Sequence, residues 1–409
     1  MRTLQTPIAI TGTGACCNLG SDQQTIARAL RDGTGGQFST VETAKQYNAR
    51  CHLGGLFPGD LSNEAVGIDR RGARFMGRAS RIALKAARMA IAEAGVDARR
   101  VAVVFGSGVG DVDTFMGIHD ALEQTGNMRK VRPTVIPRIM SSTVSANLIN
   151  ALGATGPSVT AAAACAGGAW HLAIAAMLLD SGHADIVLAG GVECWDTCFH
   201  AGFDSMRAYN AQDNDKPERA SRPYAADRAG FIMGEGSGAV ILERLEDAEA
   251  RGAAIRGRLL GWGLSSDGTG DMVAPSSGGA ARAMRQALAH AGLSAKDVGY
   301  INTHGTSTPA GDVMEVGAIR EVFPTPVPYS STKSTTGHTI SAAGALEAIF
   351  TWWMLADGWL APSINASPLD PALHDYPPLL ESASTDAKVA ISNSFGFGGT
   401  NVTLVLGAG

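Results

Sequence analysis

From Arg78 to Ala94 apolar residues return every third or fourth position, and the run stops at Gly95. That period lays one apolar stripe along a helix, and the glycine supplies the left-handed residue that ends it. The same pattern predicts helices in "GGAARAMRQALAHAG" (278–292) and "GALEAIFTWWMLADG" (344–358). Shorter apolar and β-branched runs read as strands, each ending in glycine or polar residues. They are "PIAITGTG" (7–14), "VAVVFGSG" (101–108), "ADIVLAGG" (184–191) and "GAVILERL" (238–245). A second set follows in "GRLLGWGLSS" (257–266), "VGYINTHGT" (298–306) and "VPYSSTKS" (327–334). The chain then closes with two strands around a Gly-rich loop, "KVAISNSFGFGGTNVTLVLG" (388–407). Strands alternating with helices predict an α/β architecture with parallel pairing. Because the scheme appears twice and divides near Arg251-Gly252, the expectation is a pseudo-duplicated protein with halves 1–251 and 252–409.

Composition narrows this picture. The 409 residues are 45% hydrophobic and only 17% charged, against roughly 25% charged in an average globular protein. A sizeable core is therefore expected. A net charge of −5 argues against bulk nucleic-acid binding. Six cysteines, at 16, 17, 51, 165, 194 and 198, include no CxxC pair suited to zinc and make no disulfide framework, so a reducing, cytoplasmic setting fits. The N-terminal apolar run is too short for a signal peptide. The least polar stretch, 161–179, carries Cys165, two glycines and His171, and reads as a buried helix rather than a membrane span.

Candidate chemistry begins at "VTAAAACAGGAW" (159–170), where Cys165 sits among the smallest side chains. Residues 166–180 favour helix with Gly182 as a stop, and "GPSVTAAAA" before them reads as a strand. Cys165 then falls at a strand-to-helix turn, where unpaired N–H groups and partial positive charge favour thiolate. A small buried cysteine filling space beside alanines is the other reading. In the second half, "NTHGTSTPAGD" places His304 beside glycine at a strand end, and "SSTKSTTGHTISAAGALE" places Lys333 and His338 in a similar loop before a helix. Each could be a satisfied structural residue; two such loops opposite one cysteine point to a site.

These motifs resemble the β-ketoacyl-acyl carrier protein synthases of the thiolase fold. "HGTSTPAGD", "KSTTGHTISAAGALE" and "NSFGFGGTN" stand in that family's order, and the resemblance runs from Ile8 to Asn401. The Cys-His-His set resembles the elongating synthases, not the Cys-His-Asn initiating type. Thiolases carry a second catalytic cysteine near the C-terminus, and no cysteine here lies beyond 198. "SSDGTGDMVAPS" (265–276) is closest to the bacterial type I enzyme.

The resemblance implies two α/β halves in a layered αβαβα arrangement and a decarboxylative Claisen condensation. Cys165 would take an acyl group from carrier protein, and His304 and His338 would donate N–H groups to the malonyl thioester oxygen. Lys333 would orient a histidine, with Glu347 as its partner. The N–H groups of Cys165 and Phe397 would form a second oxyanion site, Phe397 acting as a gate. Thr306 and Thr308 match threonines that hold pantetheine; Val109, Met140, Phe203 and Phe231 match positions lining the acyl pocket. Arg71 and Arg74 match carrier-protein contacts, Arg70 lies beside them, and Arg129, Lys130 and Arg132 form a second basic cluster. No cofactor or metal is implied, since the substrates arrive on the phosphopantetheine of acyl carrier protein. A homodimer, or a heterodimer with a ketosynthase-like partner, is expected. The motifs leave open a fatty-acid or a specialised polyene or polyketide pathway. A non-catalytic chain-length factor would lack the reactive cysteine that is present here.

Overall fold

The structure, a computed structural model, describes residue 4, residues 6–34, residue 36 and residues 38–409. Ten strands build its main sheet: β1 (Ile8–Cys17), β2 (Ala102–Gly106), β3 (Ser158–Val159), β4 (Ile186–Glu193), β5 (Gly236–Arg244), β6 (Gly257–Ser266), β7 (Tyr300–Asn302), β8 (Tyr329–Ser330), β9 (Val389–Gly396) and β10 (Thr400–Gly407). Their spatial order is β8-β7-β9-β10-β6-β1-β5-β4-β2-β3. Read outward from the β1/β6 junction, five strands on each side follow the same chain order. The junction itself is narrow, running only from Ile8 opposite Leu259 to Ile10 opposite Gly257.

Parallel pairing joins β2 to β3 and β4, and β7 to β8 and β9. The remaining pairs are antiparallel, so the expected parallel pairing holds for only part of a mixed sheet. Alternation of strands and helices cannot reveal this. The turn 397–399 folds β9 back on β10 as a hairpin, and a hairpin can only be antiparallel. The strand expected over 156–164 shrinks to Ser158–Val159, and that over 327–334 to Tyr329–Ser330, because the following residues leave the sheet to build loops.

The helices that matter here are α1 (Arg78–Ala94), α2 (Val112–Thr125), α3 (Val135–Ile139), α4 (Thr143–Leu152), α5 (Gly167–Asp180), α6 (Thr197–Ser205), α7 (Ser277–Ala291), α8 (Pro309–Val322) and α9 (Ala343–Asp357). Three apolar cores give the layers. Ile82, Ala86 and Ala90 of α1 and Leu148 of α4 pack on Val103, Phe105 and Ile241 of one half-sheet. Ala283, Met284 and Ala287 of α7 are buried, and Met284 joins Val316 and Ile319 of α8 on Ile301, Ile391 and Val405 of the other half-sheet. Between the half-sheets lie α5 and α9, with Leu172, Ala176, Leu346 and Phe350 in the third core. Every residue of α9 from Ala343 to Leu355 is buried, as a helix apolar on all sides requires. Burying each large side chain such as Phe350 or Trp352 stabilises the fold by about 1.5–3 kcal/mol. The result is an αβαβα stack whose two middle helices each start beside a candidate catalytic residue.

Candidate active site

Cys165 lies in a single helical turn, Ala164–Ala166, that runs straight into α5. Ala164 is held at φ 44°, a left-handed conformation that costs a non-glycine residue energy and turns the chain sharply at Cys165. Gly396, at the end of β9, comes so close that a Cβ there would stand 2.8 Å from the Ala163 oxygen and 3.2 Å from the Cys165 nitrogen. Only glycine lets this loop approach. The contact brings the N–H groups of Phe397 and Cys165 to bear on the sulfur. A resting thiolate does not follow, contrary to the helix-terminus argument. Burial pushes the thiol up to about 12, against the pull of Lys333 and of the Phe397 N–H.

His304 follows β7, and His338 follows the short helix Lys333–Thr336. Their rings meet edge to face with centroids 5.3 Å apart, and His338 also abuts Phe231 at 5.3 Å. Burial first, then the nearby Lys333 charge, hold both imidazoles well below the usual histidine range; His338 adds to this at His304. Both are therefore neutral at pH 7. Among the described residues the ring nitrogens of His338 and Nδ1 of His304 have no protein partner, so N–H groups are free to serve a ligand. Lys333, 1% exposed, pairs through Nζ with Oε1 of Glu347 on α9. Burial raises the Glu347 carboxyl to about 7 against the lysine's opposing pull.

Glu315 and Asp267 are among the groups that the sequence motifs do not single out. Glu315 of α8 accepts the His304 N–H at 2.9 Å and the Gly305 N–H at 2.8 Å, and Asn393 donates to it at 3.0 Å. It fixes the His304 loop. An acid one helical turn after "HGTSTPAGD" was its only signal. Asp267, in the loop after β6, accepts from Asn401 at 2.7 Å, and its N–H donates to Gly399 at 2.9 Å. The Gly398 N–H also donates to the Met272 carbonyl at 2.8 Å, so the Phe397 turn is latched to the 267–276 loop.

Cys165, His304, His338, Thr306, Thr308, Phe203, Phe231 and Phe397 line one cavity of about 520 Å³. The two threonine hydroxyls lie 3.2 Å apart beside its mouth, where Arg207, another residue the sequence reading missed, is exposed. Lys333 and Glu347 stand behind the cavity. Val109 and Met140 are not among the residues lining this cavity, and Val109 is 41% exposed. Arg71, Arg74, Arg129 and Lys130 are exposed and away from the cavity. The two loops of the second half meet Cys165 because β9, adjacent to β7 in the sheet, ends against the turn carrying the cysteine.

Two family descriptions match the chain: "Beta-ketoacyl synthase, N-terminal domain" over residues 5–248, and "Beta-ketoacyl synthase, C-terminal domain" over residues 256–367. The 3-oxoacyl-[acyl-carrier-protein] synthase 1 of Haemophilus influenzae is 40% identical over 405 residues, covering 97% of each chain. Synthase 2 of Staphylococcus aureus is 38% identical over 413 residues, also covering 97% of each. Among solved structures, a β-ketoacyl synthase from Burkholderia phymatum superimposes with a TM-score of 0.92 at 33% identity, covering 99% of this chain and 100% of that one. The ishigamide ketosynthase/chain length factor gives 0.90 at 29% identity with the same coverage. A type II polyketide ketosynthase in complex with its acyl-carrier protein gives 0.86 at 25% identity, covering 99% of each.

Proposed function

The chain belongs to the β-ketoacyl synthase family, and on that premise we propose how its cavity performs the condensation. The enzyme is a β-ketoacyl-acyl carrier protein synthase that extends an acyl chain by two carbons. The acyl thioester of carrier protein enters between Thr306 and Phe397. The Cys165 sulfur attacks its carbonyl carbon as its proton leaves, and the pantetheine thiol departs. Malonyl-carrier protein then binds. Its carboxylate leaves as carbon dioxide, and the bond's electron pair becomes the thioester enolate. The enolate oxygen accepts N–H groups from His304 and His338. Neutral imidazoles suit this task, since each N–H donates a hydrogen bond to the enolate oxygen but is too weak an acid to protonate the enolate. The enolate carbon attacks the acyl-cysteine, whose oxyanion is held by the N–H groups of Cys165 and Phe397, and the thiolate is expelled and reprotonated.

The observation that carries this reading is the convergence of two unpartnered neutral histidines and a pair of backbone N–H groups on one buried cysteine. A thiol pushed up to about 12 makes deprotonation part of the attack. Lys333 eases it, its charge lowering the thiol's pKa from behind. We read residues 1–251 as the half bearing the nucleophile and 252–409 as the half bearing the histidines. No cofactor or metal takes part in this chemistry.

Acyl carrier protein is the proposed partner, as the names of the relatives say of them. Arg71, Arg74, Arg129, Lys130 and Arg207 offer exposed cations to an acidic carrier. A dimer is supported by an apolar face with nothing packed on it among the described residues: α2 buries no residue, and Phe115, Met128 and Ile136 are 60%, 82% and 65% exposed. The edge strand β3 lies at the end of the sheet. Val109 and Met140 would then line the acyl pocket where a second chain closes it. Among the described residues no helix is long and apolar enough to cross a membrane. Six unpaired cysteines suit a reducing cytoplasm. The likeness to the ishigamide ketosynthase/chain length factor favours, as a second reading, a specialised pathway and a heterodimer.

Intact-protein mass after incubation with acyl-carrier proteins of graded length tests the proposal. An acyl adduct is expected on the wild type and not on Cys165→Ala. The preferred length separates general from specialised synthesis, and no adduct with any donor would overturn the stand-alone synthase.

A further inference from the structure

Glu193, the last residue of β4, is a buried carboxyl that the condensation does not use. No cation holds it. Its Oε2 accepts the Gly108 N–H at 2.9 Å, and the Ser341 backbone N–H lies near enough to favour the ionised carboxyl. Burial alone pushes it up to about 8 against those two N–H groups. The fit is close, since a Cβ on Gly108 would stand 2.5 Å from Oε2.

The two segments it joins lie behind the cavity's Cys165, Phe203 and Phe231, outside its lining. Ile340, next to Ser341, packs in one apolar cluster with Cys165, Phe203 and Phe231. Beyond Ile340 lies Gly108, whose Cβ would come 3.8 Å from its Cγ2, and then the exposed Val109. Ile340 thus stands between the nucleophile's cavity and the 107–110 loop. It is held at φ 46°, a left-handed conformation that a β-branched residue adopts only under constraint. A residue kept in such a state is one the surroundings hold there.

We propose that Glu193 is a positioning residue that clasps Gly108 to Ser341, keeps Ile340 in place as the back wall of the acyl cavity, and so limits the length of chain that Cys165 accepts. This rests on reading Cys165 as the acyl carrier. Releasing the clasp lets Ile340 relax out of its strained conformation and opens the cavity toward Val109. One carboxyl can serve both N–H groups; an amide at the same place offers one acceptor oxygen and turns two donors toward the other.

The test is acylation of Cys165, followed by mass, across carrier proteins loaded with chains of increasing length, for wild type, Glu193→Gln and Ile340→Ala. Malonyl-carrier protein decarboxylation is measured beside it. Both variants are expected to accept chains at least two carbons longer than the wild-type limit, with at least tenfold faster acylation at those lengths. Glu193→Gln should leave decarboxylation within about twofold. A gain at long lengths cannot come from general damage to the fold. Equal loss at every length, an unchanged profile, or no extension by Ile340→Ala overturns the proposal. No adduct on the wild type at any length overturns the synthase reading on which it stands.

Discussion

Removing Lys333 should leave a protein whose stability deficit grows as the pH rises. The substitution is Lys333→Met, which keeps the stem's volume and deletes the charge. In the wild type the Glu347 carboxyl is raised from an ordinary value near 4.5 to about 7, even with Lys333 beside it. That 2.5-unit rise corresponds to about 3 kcal/mol of residual preference for the protonated form, at 1.36 kcal/mol per unit. Without the lysine the carboxyl rises further. A group whose folded pKa lies above its unfolded value favours folding below the unfolded pKa, and that support is lost as pH climbs through the folded one. At pH 6 Glu347 stays protonated in Lys333→Met and the variant loses little through this pair. At pH 8.5 the wild type holds a charge pair, while the variant must bury either a lone carboxylate or a proton taken from solution. The deficit relative to wild type, from denaturant midpoints at both pH values, should be larger at pH 8.5 by at least about 1 kcal/mol. Glu347→Leu is the complement. It strands a cation that is 1% exposed and should cost about 3–5 kcal/mol. A pH-independent deficit in Lys333→Met, or a smaller cost for Glu347→Leu than for Lys333→Met at pH 6, would refute the reasoning.

Other consequences are as direct. His304→Ala and His338→Ala should each slow malonyl-carrier protein decarboxylation on the order of 100-fold or more while leaving transfer of an acyl group to Cys165 measurable by mass. Alkylation of Cys165 by iodoacetamide should keep accelerating up to pH 10 without a plateau, because burial pushes that thiol up to about 12; a plateau near pH 7 would show a resting thiolate. Arg71→Glu combined with Arg74→Glu should raise KM for carrier protein several-fold at low salt, leave kcat nearly unchanged, and lose most of its effect at high ionic strength.

How much of this was legible in the chain differs from residue to residue. The 3.6-residue period of 78–94 is the helix seen there, and Gly95 ends it in a left-handed conformation at φ 64°. The apolar run 344–355 is a helix buried on all sides. Such features are local: periodicity and one permissive residue decide them wherever the segment goes. Cys165, His304, His338, Lys333 and Phe397 were also visible, since each lies in a short motif of small and hydroxyl residues that has no reason to exist in a core.

What the motifs do not carry is distance across the sheet. Alternation of strands and helices predicts the parallel pairs but is equally compatible with hairpins, so it does not reveal the antiparallel ones. Val109 and Met140 do not line this cavity, and position along a motif does not say how far a residue stands from the cysteine. Glu315, Asp267 and Glu193 were passed over because a carboxylate facing backbone N–H groups leaves no pattern of its own. Nor could the chain reveal that burial outweighs the helix terminus at Cys165. Charge at a helix end is local and readable, whereas desolvation depends on every layer packed around the sulfur. The sequence determined which segments fold and which residues bear the chemistry; the tertiary structure decided their separations, their exposure to water and therefore their protonation.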